Sequence, residues 1–295
     1  MKISFRRIMQ SIRFLTTGCA ITLVIIGAII VYYQDALILP ASLHQRASAA
    51  APQEIEERFI VTRDAVRIRL WHKRDRQESP SSLGAGRAII LLNGNGDTVR
   101  SSLNLQEYFS ALGFSTYSID YRGTGRSDGQ PSEQGLYADV DAAWEYVSQS
   151  FPSDKITLLG RSFGTGLASY LAAKHGGKSL ILISPYLSIP KIVRDRGALG
   201  LLTPFLRYDI PTEKFIPSLK NSCVVAAHGV VDEVIKVHHT EELAVTNGSG
   251  TSLQKIIIPA ADHDSILGLA QEQMLEGLKD CLKRAASTHD VADKT

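Results

Sequence analysis

Six short, nearly unbroken apolar runs punctuate this chain, at residues 88–92, 114–119, 156–159, 180–184, 224–227 and 255–259. A strand with one wet face alternates apolar and polar side chains. A run that stays apolar throughout has both faces covered, which is the pattern of parallel strands buried between helices. The intervals between runs leave room for crossover helices. In the clearest, 133–150, Leu136, Val140, Ala143, Trp144 and Val147 fall on one helical face. Repeated strand–helix alternation predicts an α/β fold, a mostly parallel central sheet with helices on both faces. Ahead of it, Val66, Ile68 and Leu70 alternate with arginines, which predicts an exposed antiparallel strand.

The N-terminus does not belong to such a sheet. Residues 14–33 carry no charge, and as a helix they would be about 30 Å long, the thickness of a bilayer's hydrocarbon core. They are expected to form one transmembrane signal anchor. Lys2, Arg6, Arg7 and Arg13 precede it, whereas Asp35 and Arg46 are the charges that follow most closely. The positive-inside rule then keeps residues 1–13 in the cytosol and puts the rest on the extracytoplasmic side, periplasmic or luminal. A cleaved secretory signal competes, because Ala47, Ser48 and Ala49 resemble a cleavage site, although a signal's apolar core usually spans about 7–15 residues. Residues 34–57 read as a juxtamembrane linker, 58–286 as the ordered domain and 287–295 as a polar tail. Asn247, Gly248 and Ser249 form a sequon that matters only in a eukaryotic lumen.

Composition narrows the partners. With 32 basic and 30 acidic residues interspersed, the net charge is +2, and no basic stripe argues for nucleic acid. Gly94 with Gly96, and Gly123 with Gly125, lack the third glycine of a dinucleotide loop, so no cofactor is expected. Neither H-E-x-x-H nor paired cysteines support a metal. Cys223 opens a buried run and Cys281 sits on the last helix; the expectation is two core thiols.

The chemistry concentrates where strands end, the rim at which open α/β sheets bind ligands. Gly160, Arg161, Ser162, Phe163 and Gly164 follow the run 156–159 directly. A G-x-S-x-G turn from strand to helix leaves its serine exposed on a strained backbone, so Ser162 is the candidate nucleophile. Asn93 to Gly96 follow the first long run, Asp232 follows 224–227, and His263 follows the last.

From about residue 58 to 284 the chain resembles the α/β-hydrolase superfamily and is similar to membrane-anchored serine hydrolases with a minimal cap. Residues 160–164, 120–127 and 228–232, and Asp262 with His263, carry the likeness. The resemblance implies acyl transfer by Ser162, His263 as base and Asp232 as its acid partner, with the oxyanion held by the backbone N–H groups of Asn95 and Phe163. Where such families commonly have His-Gly in the oxyanion loop, this chain has Asn93 and Gly94. Glu233 competes with Asp232, and His228, His238 and His239 compete with His263. Asp262 and Asp264 either orient His263 or cap the helix after it.

Between Pro185 and Pro217 lies an apolar insertion including Leu187, Ile189, Leu201, Leu202, Phe205, Leu206 and Phe215. It is either a small lid shaping an acyl pocket for a lipid-like ester or thioester near the membrane, with longer acyl chains preferred, or a cover for the sheet. The expected substrate is a small-molecule acyl ester or thioester, lipid-like in its acyl part. A serine peptidase or amidase, and a non-catalytic membrane-tethered scaffold, stand as alternatives.

Overall fold

The computed structural model describes residues 5–40, 50–75, 82–245 and 251–292. Lys2, Arg46, the small-residue run 47–49 and the sequon at 247–249 lie outside the described residues.

An eight-stranded sheet organises the domain. Its strands are β1 (Glu56–Val61), β2 (Arg67–Lys73), β3 (Ala88–Leu92), β4 (Ser115–Ile119), β5 (Ile156–Arg161), β6 (Ser179–Ile183), β7 (Cys223–Gly229) and β8 (Ser252–Ile258), in spatial order β1-β2-β4-β3-β5-β6-β7-β8. β1, β2 and β4 pair antiparallel, and every pairing from β4 to β8 is parallel. Period-two alternation divides the apolar runs between two cores. Ala88, Ile90 and Leu92 join one with Leu158, Leu180 and Val224. Ile89 and Leu91 join the other with Leu159, Ile181 and Val225.

The first face is covered by α3 (Glu133–Ser148) and α4 (Phe163–His175), the second by α2 (Leu103–Ala111), α8 (Ile266–Leu269) and α9 (Gln271–Ala292). The insertion after β6 folds as α5 (Ile189–Arg194), a 3-10 helix (Gly197–Phe205) and α6 (Thr212–Ser218). Between β7 and β8 lies α7 (His238–Val245).

Four expectations change. First, β2 is not exposed: β1 flanks it on one side and β4 on the other, and Arg69 is fully buried. Its guanidinium can stay there because Glu57 Oε2 lies 2.5 Å and Asp120 Oδ2 3.5 Å away, the pairing that a buried charge requires. Second, the ordered domain begins at β1, with Ile55 already buried.

Third, Cys223 and Cys281 are not free thiols. They form a disulfide joining β7 to α9, with 5.2 Å between their Cα atoms. Fourth, among the described residues no helix is long and apolar enough to cross a membrane, so the expected span 14–33 is not established by the fold. What the structure has there is one helix, α1 (Phe5–Ile38), of 34 residues. Phe14, Leu15, Val24 and Tyr32 on it are exposed, yet its carboxyl end is docked on the domain, where Gln34 and Leu39 are buried. Residues 34–39 are therefore a packed element and not a linker.

Candidate active site

The serine is presented by a forced turn. Ser162 stands between β5 and α4 at φ 51°, ψ −121°, a conformation that costs a non-glycine residue on the order of 1–3 kcal/mol. Neighbouring bonds hold it: its N–H donates to the Ile183 carbonyl at 2.8 Å, and its carbonyl accepts from the Thr165 N–H at 2.9 Å. Close packing explains the flanking glycines. A Cβ on Gly160 would meet the Gly164 carbonyl, and one on Gly164 would overlap the Leu92 carbonyl.

Asp232 and His263 reach the same point from the ends of β7 and β8. Backbone bonds from Val230 to Ile258 and from Val231 to Ala261 tie their two loops together. His263 Nε2 lies 3.0 Å from Ser162 Oγ, and its Nδ1 lies 2.7 Å from Asp232 Oδ2. With Asp232 ionised, Nδ1 carries the proton and Nε2 faces the serine with a lone pair. The other carboxylate oxygen, Oδ1, accepts the N–H groups of Val234 and Ile235, each at 2.8 Å. Burial would raise the Asp232 carboxyl, but hydrogen bonds from His228, His263 and the Ile235 N–H outweigh it and hold the group well below the ordinary carboxylate range. The arrangement can therefore take a proton from Ser162 and stabilise the imidazolium that forms.

The competing residues have other partners. Glu233 is exposed and pairs with Lys236. His228 lies between Thr240 Oγ1 at 2.6 Å and the Ile235 carbonyl at 2.8 Å, holding the acid's loop. Asp262 Oδ1 accepts from Ser265 and Asp264 backbone N–H groups, which caps the turn that follows.

Asn93 turns inward in the oxyanion loop. Its Nδ2 donates to Ser118 Oγ at 3.0 Å, and its carbonyl accepts the Tyr121 hydroxyl at 3.0 Å. The Asn93 side chain thus pins the loop to β4. Asn95 and Phe163 both line the cavity onto which Ser162 opens.

Comparison with known proteins bears on this geometry. The profile of the Hydrolase_4 family, described as serine aminopeptidase, S33, matches residues 85–260. This chain belongs to that family of α/β hydrolases. Among its relatives, α/β hydrolase domain-containing protein 17C of Xenopus laevis is 30% identical over 257 residues, covering 81% of this chain and 76% of the relative. The Salmonella typhimurium protein YfhR is 27% identical over 276 residues, 88% of this chain and 89% of the relative. Among solved structures, an esterase of Pyrococcus furiosus superposes with a TM-score of 0.64 at 18% identity, over 79% of this chain and 91% of that one. Ferulic acid-bound Est1E of Butyrivibrio proteoclasticus gives 0.62 at 20%, over 78% and 99%. At those identities the structures share the fold.

In this α/β hydrolase the serine opens onto a cavity of about 210 Å³. Its walls are mostly apolar: Ile189, Ile192 and Val193 of α5, with Val234 and Ile235 of the acid's loop. The insertion after β6 therefore does more than cover the sheet. Arg196 alone is charged among the described residues that line it, and its Nη2 donates to the Val234 carbonyl at 2.8 Å.

Sequence reasoning missed two contributors. Arg161, inside the serine motif, bridges Asp97 of the oxyanion loop at 3.3 Å and Asp264 of the histidine loop at 2.8 Å. A cation one residue before the nucleophile, with acids in both flanking loops, was the available signal. Leu37 and Ile38 of α1 line the cavity too, and nothing local in the sequence announces it.

One further cluster gathers groups able to ligate a metal. Asp195, His238 and His239 bring their ligand atoms within 4.8 Å of one another. His238 Nε2 lies 2.8 Å from Asp195 Oδ2. His239 Nδ1 accepts the Leu187 N–H at 3.3 Å, which puts the ring proton on Nε2, 3.0 Å from the same carboxylate oxygen. That nitrogen has no lone pair to offer a cation, so the cluster reads as a latch between the α5 insertion and α7.

Proposed function

We propose that this chain is a serine hydrolase that cleaves esters or thioesters of a small acyl group. The observation that carries this reading is His263 standing 3.0 Å from Ser162 Oγ while Asp232 engages its other nitrogen at 2.7 Å. Ser162 Oγ attacks the acyl carbonyl as His263 Nε2 takes its proton. The Asn95 and Phe163 N–H groups stabilise the tetrahedral oxyanion. His263 then protonates the leaving alcohol or thiol, and water, deprotonated by the same imidazole, releases the acyl group from Ser162.

The family's description raises an aminopeptidase as the second reading. Such an enzyme needs an acid for the peptide's terminal ammonium, whereas the described lining is apolar apart from one arginine and a few neutral polar groups. That lining favours an acyl group, and the esterases among the structural neighbours share the architecture it stands on.

We also propose that the domain is extracytoplasmic. The Cys223–Cys281 bond supports an oxidising compartment for the domain.

Fluorophosphonate labelling of the full chain tests the chemistry. Wild type should label, and Ser162→Ala and His263→Ala, each folded by circular dichroism, should not. A folded wild type that fails to label would leave the scaffold reading in its place.

A further inference from the structure

The last turn of α1 reaches the serine's cavity. Leu37 and Ile38 line it together with Ile192 and Val193 of α5. This end of the helix is held by specific polar contacts. Gln34, 1% exposed, accepts the Arg207 N–H on Oε1 at 2.7 Å. Asp35 Oδ1 accepts from Arg207 Nη2 at 2.9 Å and from the Tyr208 hydroxyl at 2.7 Å. One residue beyond Ile38, Leu39 is fully buried in the main core. Such an end is fixed, and whatever it lines takes its shape from it.

Resting on the acyl-hydrolase reading, we infer that Leu37 and Ile38 determine acyl-chain specificity: the carboxyl end of α1 is the wall that stops the chain. The cavity, about 210 Å³, falls below the roughly 300–1,000 Å³ of pockets for drug-sized ligands. It holds one short acyl chain beside Ser162. Ile38 is half-buried against the core, and Leu37, 62% exposed, stands at the rim. A growing chain running along the α5 wall meets these two side chains. The domain thus carries the nucleophile, and the N-terminal helix carries part of the selectivity.

The test is a series of p-nitrophenyl esters from acetyl to dodecanoyl, hydrolysed by the full-length protein in detergent. Ile38→Ala and Leu37→Ala should move the kcat/KM optimum to longer chains. Ile38→Trp should move it to shorter ones. Each should change the long-to-short ratio about tenfold or more, the discrimination that a methylene or two carries in an apolar pocket. Arg207→Ala, which removes a clasp and leaves the helix sequence intact, should broaden the profile. Loss of fold would lower all esters alike, so opposite shifts for the two Ile38 variants isolate the wall. Profiles parallel to wild type in every variant would overturn the inference while leaving the acyl-hydrolase reading intact. A wild type that neither labels with fluorophosphonate nor hydrolyses any ester would overturn that reading, and this inference with it.

Discussion

Asp232 meets His263 through one carboxylate oxygen, 2.7 Å from Nδ1, while its second oxygen is occupied by the Val234 and Ile235 N–H groups. The acid is therefore locked in orientation by backbone that does not titrate. Asp232→Asn should leave the fold in place but let an amide N–H face Nδ1, turning the imidazole to the tautomer that cannot accept the serine proton. A fall in kcat of about 10⁴-fold is expected, the scale of this exchange in other Ser-His-Asp enzymes. Glu233→Gln, at a side chain paired only with exposed Lys236, should change kcat less than twofold, within surface-substitution effects of about 0.5 kcal/mol. Steady-state kinetics on one ester decides between the two acids.

Arg161 links the loops of Asp97 and Asp264 on either side of Ser162, and on the proposed mechanism those loops must keep their spacing. Its partner Asp264 is 89% exposed and adds little stability, whereas Asp97, 23% exposed, is the firmer partner. Arg161→Met should lower the melting temperature only modestly. It should lower kcat by about 10–100-fold, since misplacement by about 1 Å can cost 100-fold. A large loss of melting temperature with unchanged kcat would assign Arg161 a purely structural part.

The disulfide closes a loop spanning 58 positions between Cys223 and Cys281. Chain-entropy arguments give such a crosslink about 4 kcal/mol. Denaturant midpoints with and without reductant should separate accordingly, and Cys281→Ser should behave like the reduced protein. Coincident midpoints would mean the native thiols are unlinked.

His239 gives the fold an acid-sensitive element. Burial, followed by the neighbouring charge of His238, pushes its imidazole down to about 4 from an ordinary 6.5. Between those values the unfolded chain binds the extra proton, so stability rises with pH across this window and is lost as pH falls through it. The contribution is at most on the order of 3 kcal/mol. His239→Gln should make the melting temperature less sensitive to acid than that of wild type between pH 6.5 and pH 4.

The sheet was most legible where a strand buried on both faces stays apolar throughout: the run 88–92 coincides with β3. Ser162, Asp232 and His263 were legible for a related reason, each standing just past a strand end on the rim where loops converge. Arg69 misled, since an arginine in an alternating run reads as a wet face until Glu57 and Asp120 are seen around it. The disulfide was hidden because apolar neighbours describe a buried thiol and a buried cystine equally well. The α1 clasp was invisible because Asp35 finds Tyr208 at a separation of 173 residues, a pairing with no local trace in either segment.

That clasp gives the loss of α1 an unusual meaning for this chain. Loss of α1 would leave a domain in which Ser162, His263 and Asp232 still contact one another. Without Leu37 and Ile38 the cavity beside Ser162 would lose part of its lining, so removing α1 would change the pocket while sparing those contacts.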